Sequence, residues 1–181
     1  AGLQELSSLF HDRSLHKFYR CLVNGVIKNE KYIKGYLHKD EKCNKVTVQE
    51  TETSGALPIE TRYRPLGGNG TVTLLEVELI TGRTHQIRVH LSYIGYPILG
   101  DHLYCNGDPF EYRRLHGDLR DIENHDCAPG QGGKEIVSDL IDRQALHAFS
   151  LTLEHPVSKE TLHLEAPLPN DMLDVIKQLK R

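Results

Sequence analysis

The sequence lacks any apolar run long enough to cross a bilayer, and it does not show the pattern of a signal peptide. It also lacks a C-x-x-C pair, because its four cysteines are scattered at Cys21, Cys43, Cys105 and Cys127. These absences predict a soluble, cytoplasmic protein whose cysteines are reduced thiols.

The sequence also lacks an excess of positively charged residues. The 22 lysines and arginines are outnumbered by 25 aspartates and glutamates, which gives a formal net charge of −3. A domain that binds nucleic acid over a broad surface is usually basic, so any contact with a polyanion is expected to be local. The 181 residues contain no internal repeat, and we expect residues 1–181 to form a single domain around one core.

The most informative stretch runs from Thr81 to His90, with a glycine turn, two arginines and two histidines. Before it, residues 72–79 alternate between an apolar face and a face that becomes acidic, which predicts a strand. After Gly82, we expect Thr84 to cap a helix that ends near Gly95 and Pro97. The stretch is therefore predicted to lie where a strand gives way to a helix.

Within this helix, Ile87, Leu91 and Ile94 share an apolar face, whereas His85, Arg88 and Ser92 share another. Arg88 is thus expected to point away from the apolar stripe while packing fixes its backbone. Arg83 lies near the helix start, where a cation opposes the helix dipole, and is easier to explain if it meets an anion. On spacing alone, an ordinary amphipathic helix with surface charges is an equally good interpretation.

Other segments predict an α+β fold with a mixed, largely antiparallel sheet flanked by helices. Asn24-Gly25 predicts a hairpin, and residues 60–66 predict a strand that turns through residues 67–70 into the next strand. Two leucine-bearing strands around His155-Pro156 are expected to pair. A final helix, opened by Pro169 and Asn170, carries an apolar stripe of Met172, Val175, Ile176 and Leu179.

Residues 106–134 mix charge with glycine and proline, and we expect a surface excursion there. A short basic helix within it would suit RNA backbone, but a solvated loop is the favoured interpretation. Residue types that zinc accepts cluster around it, namely His102, Cys105, His116, His125 and Cys127. Their spacings match no common zinc module, so no metal site is predicted.

Three segments together resemble the RluA family of pseudouridine synthases. Residues 82–90, followed by 96–104, resemble its third motif, and residues 17–25 resemble its K-x-Y-x-x-x-V-x-G strand. Residues 142–148 resemble its late strand. The resemblance covers nearly the whole chain and implies the C-terminal part of a pseudouridine synthase catalytic domain.

This resemblance implies isomerisation of uridine in ribosomal or transfer RNA, without a cofactor. Arg88 matches the family arginine that pairs with the catalytic aspartate, and Tyr19 matches the tyrosine that stacks on a flipped base. Ile87 and Leu146 match apolar positions near the pocket. Arg83 and His85 are assigned to RNA contact or to structural support.

One departure from the family pattern concerns the catalytic aspartate, which the family carries in an H-R-L-D motif upstream of the tyrosine strand. No such motif occurs in this sequence. We expect the aspartate to lie upstream of Ala1 and this chain alone to be inactive. Two other functions stay open: an RNA-binding module without catalysis, and a zinc-dependent hydrolase. The sequence leaves the oligomeric state open, with a monomer favoured.

Overall fold

The computed structural model describes residues 15–40, 45–104 and 140–179. The predictions for residues 106–134 and for every zinc candidate except His102 lie outside these ranges.

The described residues form one seven-stranded sheet and two helices. The strands are β1 (His16–Asn24), β2 (Lys31–Asp40), β3 (Lys45–Gln49), β4 (Leu57–Gly68), β5 (Val72–Leu79), β6 (Leu146–Glu154) and β7 (Thr161–Glu165). The helices are α1 (Gln86–Tyr93) and α2 (Asn170–Leu179). The strand order is β3-β2-β4-β5-β1-β6-β7, and the pairings between these strands are antiparallel. The predicted α+β class with a largely antiparallel sheet is confirmed.

The hairpin predicted at Asn24-Gly25 is wrong. The chain does turn there, since β1 ends at Asn24 and Gly25 has a φ of 102°. The strand that follows, however, is separated from β1 by β4 and β5. An Asn-Gly pair fixes the direction of a local turn, but the burial of whole strands decides which of them become neighbours.

Two other predicted pairings are confirmed. β4 turns directly into β5 and pairs with it. β6 pairs with β7 so that Leu151 lies opposite Leu164 and Leu153 lies opposite Leu162. In both cases short connections join strands with matching alternation, so the local pattern is enough to specify the register.

Three consecutive residues of β1, namely Cys21, Leu22 and Val23, are fully buried, so core side chains lie on both faces of the sheet at this strand. Opposed residues of an antiparallel sheet point to the same side, and Tyr19, Val77 and Tyr63 form such a row across β1, β5 and β4. The main apolar cluster includes residues from the sheet and from both helices: Cys21, Tyr63, Leu75, Val77, Ile87, Leu91, Met172 and Val175. Packing against this cluster fixes the position of α1, the helix that carries the predicted site residues.

Candidate active site

The buried side-chain amide of Gln86 holds the start of α1 against β4 through hydrogen bonds. Gln86 is 1% exposed and uses both ends of its amide. Its Nε2 donates to the carbonyl oxygen of Glu60 at 3.0 Å and to the hydroxyl oxygen of Thr61 at 3.1 Å. Its Oε1 accepts from the Thr81 hydroxyl at 2.9 Å and from the Arg83 backbone N–H at 3.1 Å. The helix therefore enters the site at a fixed place and angle.

The predicted capping role of Thr84 is wrong, because the residue that precedes the first helical turn is His85. His85 adopts the left-handed conformation with a φ of 56° and makes no side-chain capping bond. The Oε1 of Gln86 accepts the Arg83 N–H from inside the helix instead. The left-handed backbone at His85 turns its ring toward the segment that follows the helix.

That segment brings an aspartate to Arg88. Asp101 Oδ2 accepts from Arg88 Nε at 2.8 Å, and Asp101 Oδ1 accepts from Arg88 Nη2 at 2.7 Å. The side chain of Arg88 is 14% exposed and that of Asp101 is 1% exposed. The two residues thus form a bidentate, largely buried ion pair, which is the strong geometry for an arginine and a carboxylate.

The ion pair keeps both groups charged. Burial by itself raises the pKa of Asp101, but the hydrogen bonds and charge of Arg88, with the amides of Tyr104 and Leu103, outweigh burial and bring the pKa below its usual value. The pKa of Arg88 is raised, chiefly by its hydrogen bonds to Asp101. At neutral pH the pair is therefore a guanidinium and a carboxylate.

Tyr104 and His85 complete the surroundings of Arg88. The Arg88 Cζ lies 5.1 Å from the centre of the Tyr104 ring, within the range of a cation–π contact. The Tyr104 hydroxyl accepts from the Val46 N–H at 3.3 Å and lies 2.9 Å from His85 Nδ1. Burial first, and the charge of Arg88 second, lower the pKa of His85, so its ring is neutral at pH 7. We call Arg88, Asp101, Tyr104 and His85 the Arg88 network.

Asp101 has the wrong environment for a nucleophile. The whole residue is 2% exposed, and its oxygens accept from Arg88 and from the backbone N–H groups of Leu103 and Tyr104 at 3.1 and 3.2 Å. A carboxylate that is buried and surrounded by donors has few lone pairs left and no access to a substrate. Asp101 therefore holds Arg88 and does not substitute for a catalytic aspartate.

Tyr19, Ile87 and Leu146 all belong to the main apolar cluster or pack against it. Tyr19 lies in β1 and packs, half-buried, against the main apolar cluster, to which Ile87 belongs. Leu146 begins β6 opposite Cys21 and packs against the same cluster. Ile87 is only 4% exposed, so its first role is to seat α1 on the sheet. Burial raises the pKa of Tyr19, and its phenol is therefore protonated at neutral pH.

Arg83 is exposed at the turn before α1, and among the described residues its side chain has no bonded partner. The Lys17 ammonium lies near this turn, 3.4 Å from the position that a Cβ on Gly82 would take. Lys17 is on the same face of β1 as Tyr19, because the two are separated by one residue in a strand. Two cations therefore lie at this end of the face that carries Tyr19.

Comparison with known families decides the classification. The family model described as RNA pseudouridylate synthase matches residues 1–93. This range is more than half of the chain and contains both Tyr19 and Arg88. The chain belongs to the RNA pseudouridylate synthase family. The resemblance noted at residues 17–25 and 82–90 is thereby confirmed.

Individual pseudouridine synthases agree with this assignment. The chain is 33% identical, over 93% of its length, to "Ribosomal large subunit pseudouridine synthase D" of Neisseria meningitidis serogroup B. It is 34% identical over 99% of its length to an "Uncharacterized RNA pseudouridine synthase" of Chlorobaculum parvum. It is 32% identical over its whole length to "Ribosomal large subunit pseudouridine synthase C" of Vibrio parahaemolyticus. The chain spans 40%, 51% and 49% of these relatives, respectively.

Solved structures support the pseudouridine synthase fold. "Human RNA Pseudouridylate Synthase Domain Containing 4" superposes with a TM-score of 0.67 at 22% identity, over 98% of this chain and 67% of that one. "Human RNA Pseudouridylate Synthase Domain Containing 1" gives a TM-score of 0.63 at 20% identity, over 98% of this chain and 70% of that one.

The opposite face of the sheet carries a second set of ion pairs. Glu76 lies between Arg20 at 2.8 Å and Arg64 at 2.5 Å, and Arg20 also lies 4.4 Å from the centre of the Phe149 ring. A cleft of about 450 Å³ on this side is lined by charged and aromatic residues, among them His16, Phe18, Arg62 and Glu78. These groups share no element face with the Arg88 network.

Among the zinc candidates, His102 alone is described, and its Nε2 lies 3.2 Å from the carbonyl oxygen of Asp142. Neither helix of the described ranges has the length and apolar character needed to cross a membrane.

Asp101 and Tyr104 were not predicted as site residues, although both stand in the motif that carries the resemblance. Their roles depend on a fold-back of the chain that no spacing in the sequence reveals.

Proposed function

We propose that this chain is part of an enzyme that converts uridine to pseudouridine in ribosomal or transfer RNA. The observation that carries the proposal is the family match over residues 1–93, which includes the strand of Tyr19 and the helix of Arg88. The names of the bacterial relatives from Neisseria meningitidis and Vibrio parahaemolyticus favour ribosomal RNA.

The reaction is an isomerisation. The bond between C1′ of the ribose and N1 of uracil breaks, the base turns, and a bond forms between C1′ and C5. The hydrogen on C5 leaves as a proton and N1 takes up a proton, so no oxidant, reductant or cofactor is consumed. The protein must supply a carboxylate, a cation that keeps it ionised and placed, and a surface that retains the detached base.

Arg88 is the proposed cation. Its guanidinium is charged and fixed in place by Asp101, and it lies on the helix that packs against the Tyr19 face of the sheet. The carboxylate that attacks is proposed to be one other than Asp101, whose oxygens already accept from Arg88 and from two backbone N–H groups. Arg83 and His85 are proposed to support RNA binding: Arg83 by contacting phosphate directly and His85 by holding Tyr104 beside Arg88.

Tyr19 is the proposed stacking platform. A half-buried ring on a rigid strand offers a flat apolar surface to a base that has left its stack. The raised pKa of Tyr19 keeps its phenol protonated, which favours stacking over proton abstraction as its main role. Ile87 and Leu146 are proposed to keep water out from below this platform.

The experiment uses the natural full-length polypeptide and RNA labelled with tritium at C5 of uridine. Formation of the carbon–carbon bond releases the tritium to water, so the released label counts turnovers. Ribosomal and transfer RNA prepared from cells that lack the protein supply unmodified sites. We expect release from one of these RNA pools. If the folded protein releases no label from either pool, the proposal is wrong.

An RNA-binding module without catalysis is the second candidate. It is favoured if no other carboxylate reaches Arg88, because the oxygens of Asp101 are already occupied by hydrogen bonds from Arg88 and from two backbone N–H groups. The two candidates differ in one measurement. Under the second, the full-length protein binds the same RNA and yet releases no tritium.

A further inference from the structure

The Arg88 guanidinium is held along only one of its edges. Nε and one hydrogen of Nη2 are bonded to Asp101. A guanidinium has five N–H donors, and within the described ranges the two hydrogens of Nη1 and the second hydrogen of Nη2 have no protein acceptor. One hydrogen of Nη1 and the second hydrogen of Nη2 form the terminal edge of the group, which has the spacing to bind a second carboxylate with two hydrogen bonds.

We propose that Asp101 is a positioning residue for pseudouridine formation. It binds the edge of Arg88 that is formed by Nε and Nη2, which we call the inner edge, so that the terminal edge is presented to the catalytic carboxylate. This inference rests on the proposed function, because it assumes that Arg88 pairs with that carboxylate. Asp101 itself does not touch substrate. Its effect reaches the reaction only through the place and tilt of the guanidinium.

Asp101 is well suited to this role because its own position is fixed. Leu99, two residues earlier, exchanges backbone hydrogen bonds with Leu22 of β1 and Ala145 at 2.9 and 2.8 Å. Three residues later, the carbonyl oxygen of Tyr104 accepts from the Ser92 hydroxyl of α1 at 2.7 Å. The carboxylate is thus tied to the central strand on one side and to the helix of Arg88 on the other.

Replacing the carboxylate disturbs the inner edge in a defined way. In Asp101→Asn, one oxygen becomes an NH₂ group, which sets donors against the donors of Arg88. In Asp101→Glu the charge remains, but the longer arm moves the guanidinium. Since a misplacement of about 1 Å in a catalytic group costs up to about a hundredfold in rate, we expect both variants to lower kcat by roughly tenfold to a hundredfold.

The KM for RNA is expected to stay within about twofold in both variants, because affinity for RNA comes mainly from many phosphate contacts. Glu76→Gln is the matched control. Glu76 is also a largely buried carboxylate that bridges arginines, but it lies on the opposite face of the sheet. We expect this control to change stability without a comparable change in kcat.

The decisive test is a double-mutant cycle in the full-length enzyme, measured at a temperature where thermal unfolding shows every variant to be folded. If Asp101 acts only through Arg88, then Arg88→Lys with Asp101→Asn is no slower than Arg88→Lys alone. A purely structural role of Asp101 predicts instead that the two losses multiply.

Three outcomes overturn the inference: multiplicative losses in the cycle, a kcat for Asp101→Asn equal to that of Glu76→Gln, or an effect confined to KM. The proposed function fails separately, if the wild-type enzyme forms no pseudouridine. A fully active Arg88→Lys variant would instead remove Arg88 from the mechanism, and this inference with it. Should Asp101→Asn not fold, Asp101→Glu takes its place in the same cycle and the same outcomes apply.

Discussion

His90 Nδ1 lies 3.0 Å from the hydroxyl oxygen of Thr61, where α1 crosses the sheet, and both residues are buried. The Thr61 oxygen accepts from Gln86, which leaves its own hydrogen available to a neutral His90 whose Nδ1 is unprotonated. Burial lowers the pKa of His90 to about 4, against which a hydrogen bond to the backbone of Lys34 works only partly. His90 is therefore a neutral core residue that acid will charge.

The stability of the chain is expected to fall as pH drops through the interval between about 6.5 and about 4. In that window the unfolded state binds a proton at His90 that the folded state does not, so the free energy of unfolding rises with pH. The full contribution is present above pH 6.5 and amounts to roughly 3 kcal/mol. Urea unfolding at several pH values measures it. His90→Gln should flatten the slope, and an unchanged slope would contradict this account.

Gln86→Glu is expected to destabilise the chain by about 3 kcal/mol or more, because it removes two donors and places a charge in a buried site. The carboxylate would face the carbonyl oxygen of Glu60, which now accepts from the amide. Thermal unfolding of the isolated chain provides the measurement. Gln144→Glu makes the same chemical change at an exposed position and should have little effect. Equal losses in the two variants would refute the anchoring role of Gln86.

Gly100→Ala is expected to be severely destabilising and to displace Asp101. A Cβ at this position would lie 2.1 Å from the carbonyl oxygen of Arg143, and the φ of Gly100 is 69°. Gly55→Ala separates these two causes, since Gly55 also has a positive φ, of 81°, but open space around it. We expect Gly55→Ala to cost about 1 kcal/mol and Gly100→Ala clearly more. Similar values for both would show that the close approach to Arg143 is unimportant.

Arg88→Lys in the full-length enzyme keeps the charge but loses the planar fork. A single ammonium cannot bind Asp101 and a second carboxylate in the same plane, so turnover is expected to fall about a hundredfold or more, as for the loss of a preorganised donor. Tritium release under single-turnover conditions measures this. The control is Arg62→Lys on the opposite face, where one nitrogen contacts Glu78 at 3.1 Å. Normal pseudouridine formation by Arg88→Lys would remove Arg88 from the mechanism.

Tyr19→Phe is expected to bind RNA as the wild type does, since the ring that stacks on the base remains. Tyr19→Leu, in contrast, should weaken the complex by about 1 to 3 kcal/mol, the typical contribution of one stacked base. Filter binding with an RNA that contains the target uridine distinguishes the two variants. Loss of binding in Tyr19→Phe would mean that the hydroxyl, and not the ring, holds the base.

Much of this fold could be predicted from the sequence where alternation and short turns coincide, as they do in β4 with β5 and in β6 with β7. β2 and β3 were not predicted. In β2 the inward positions are Ile33, Gly35 and Leu37, and the glycine interrupts the apolar pattern. The structure explains the interruption, because a Cβ at Gly35 would come within 3.0 Å of Val48 Cγ1 and 3.2 Å of the carbonyl oxygen of Gln49. A tertiary contact thus removed the local signal.

The candidate site was predictable to a similar extent. Helical spacing correctly grouped His85, Arg88 and Ser92 on one face of α1, and all three contact the segment that carries Asp101 and Tyr104. The immediate partner of Arg88 was not predicted. Pairing between Arg88 and Asp101 depends on the chain folding back after Gly95 and Pro97, and such a contact has no periodic pattern in the sequence.

The central place of β1 has a consequence during synthesis on the ribosome. β1 pairs with β5 on one side and β6 on the other, and about 120 residues separate its end from the start of β6, which is on the order of ten seconds of translation. During that interval one edge of β1, the strand that bears Tyr19, lacks β6 as its hydrogen-bonding partner. An open edge attracts other strands, so nascent chains that stall before residue 146 should be prone to aggregation and should depend on chaperones.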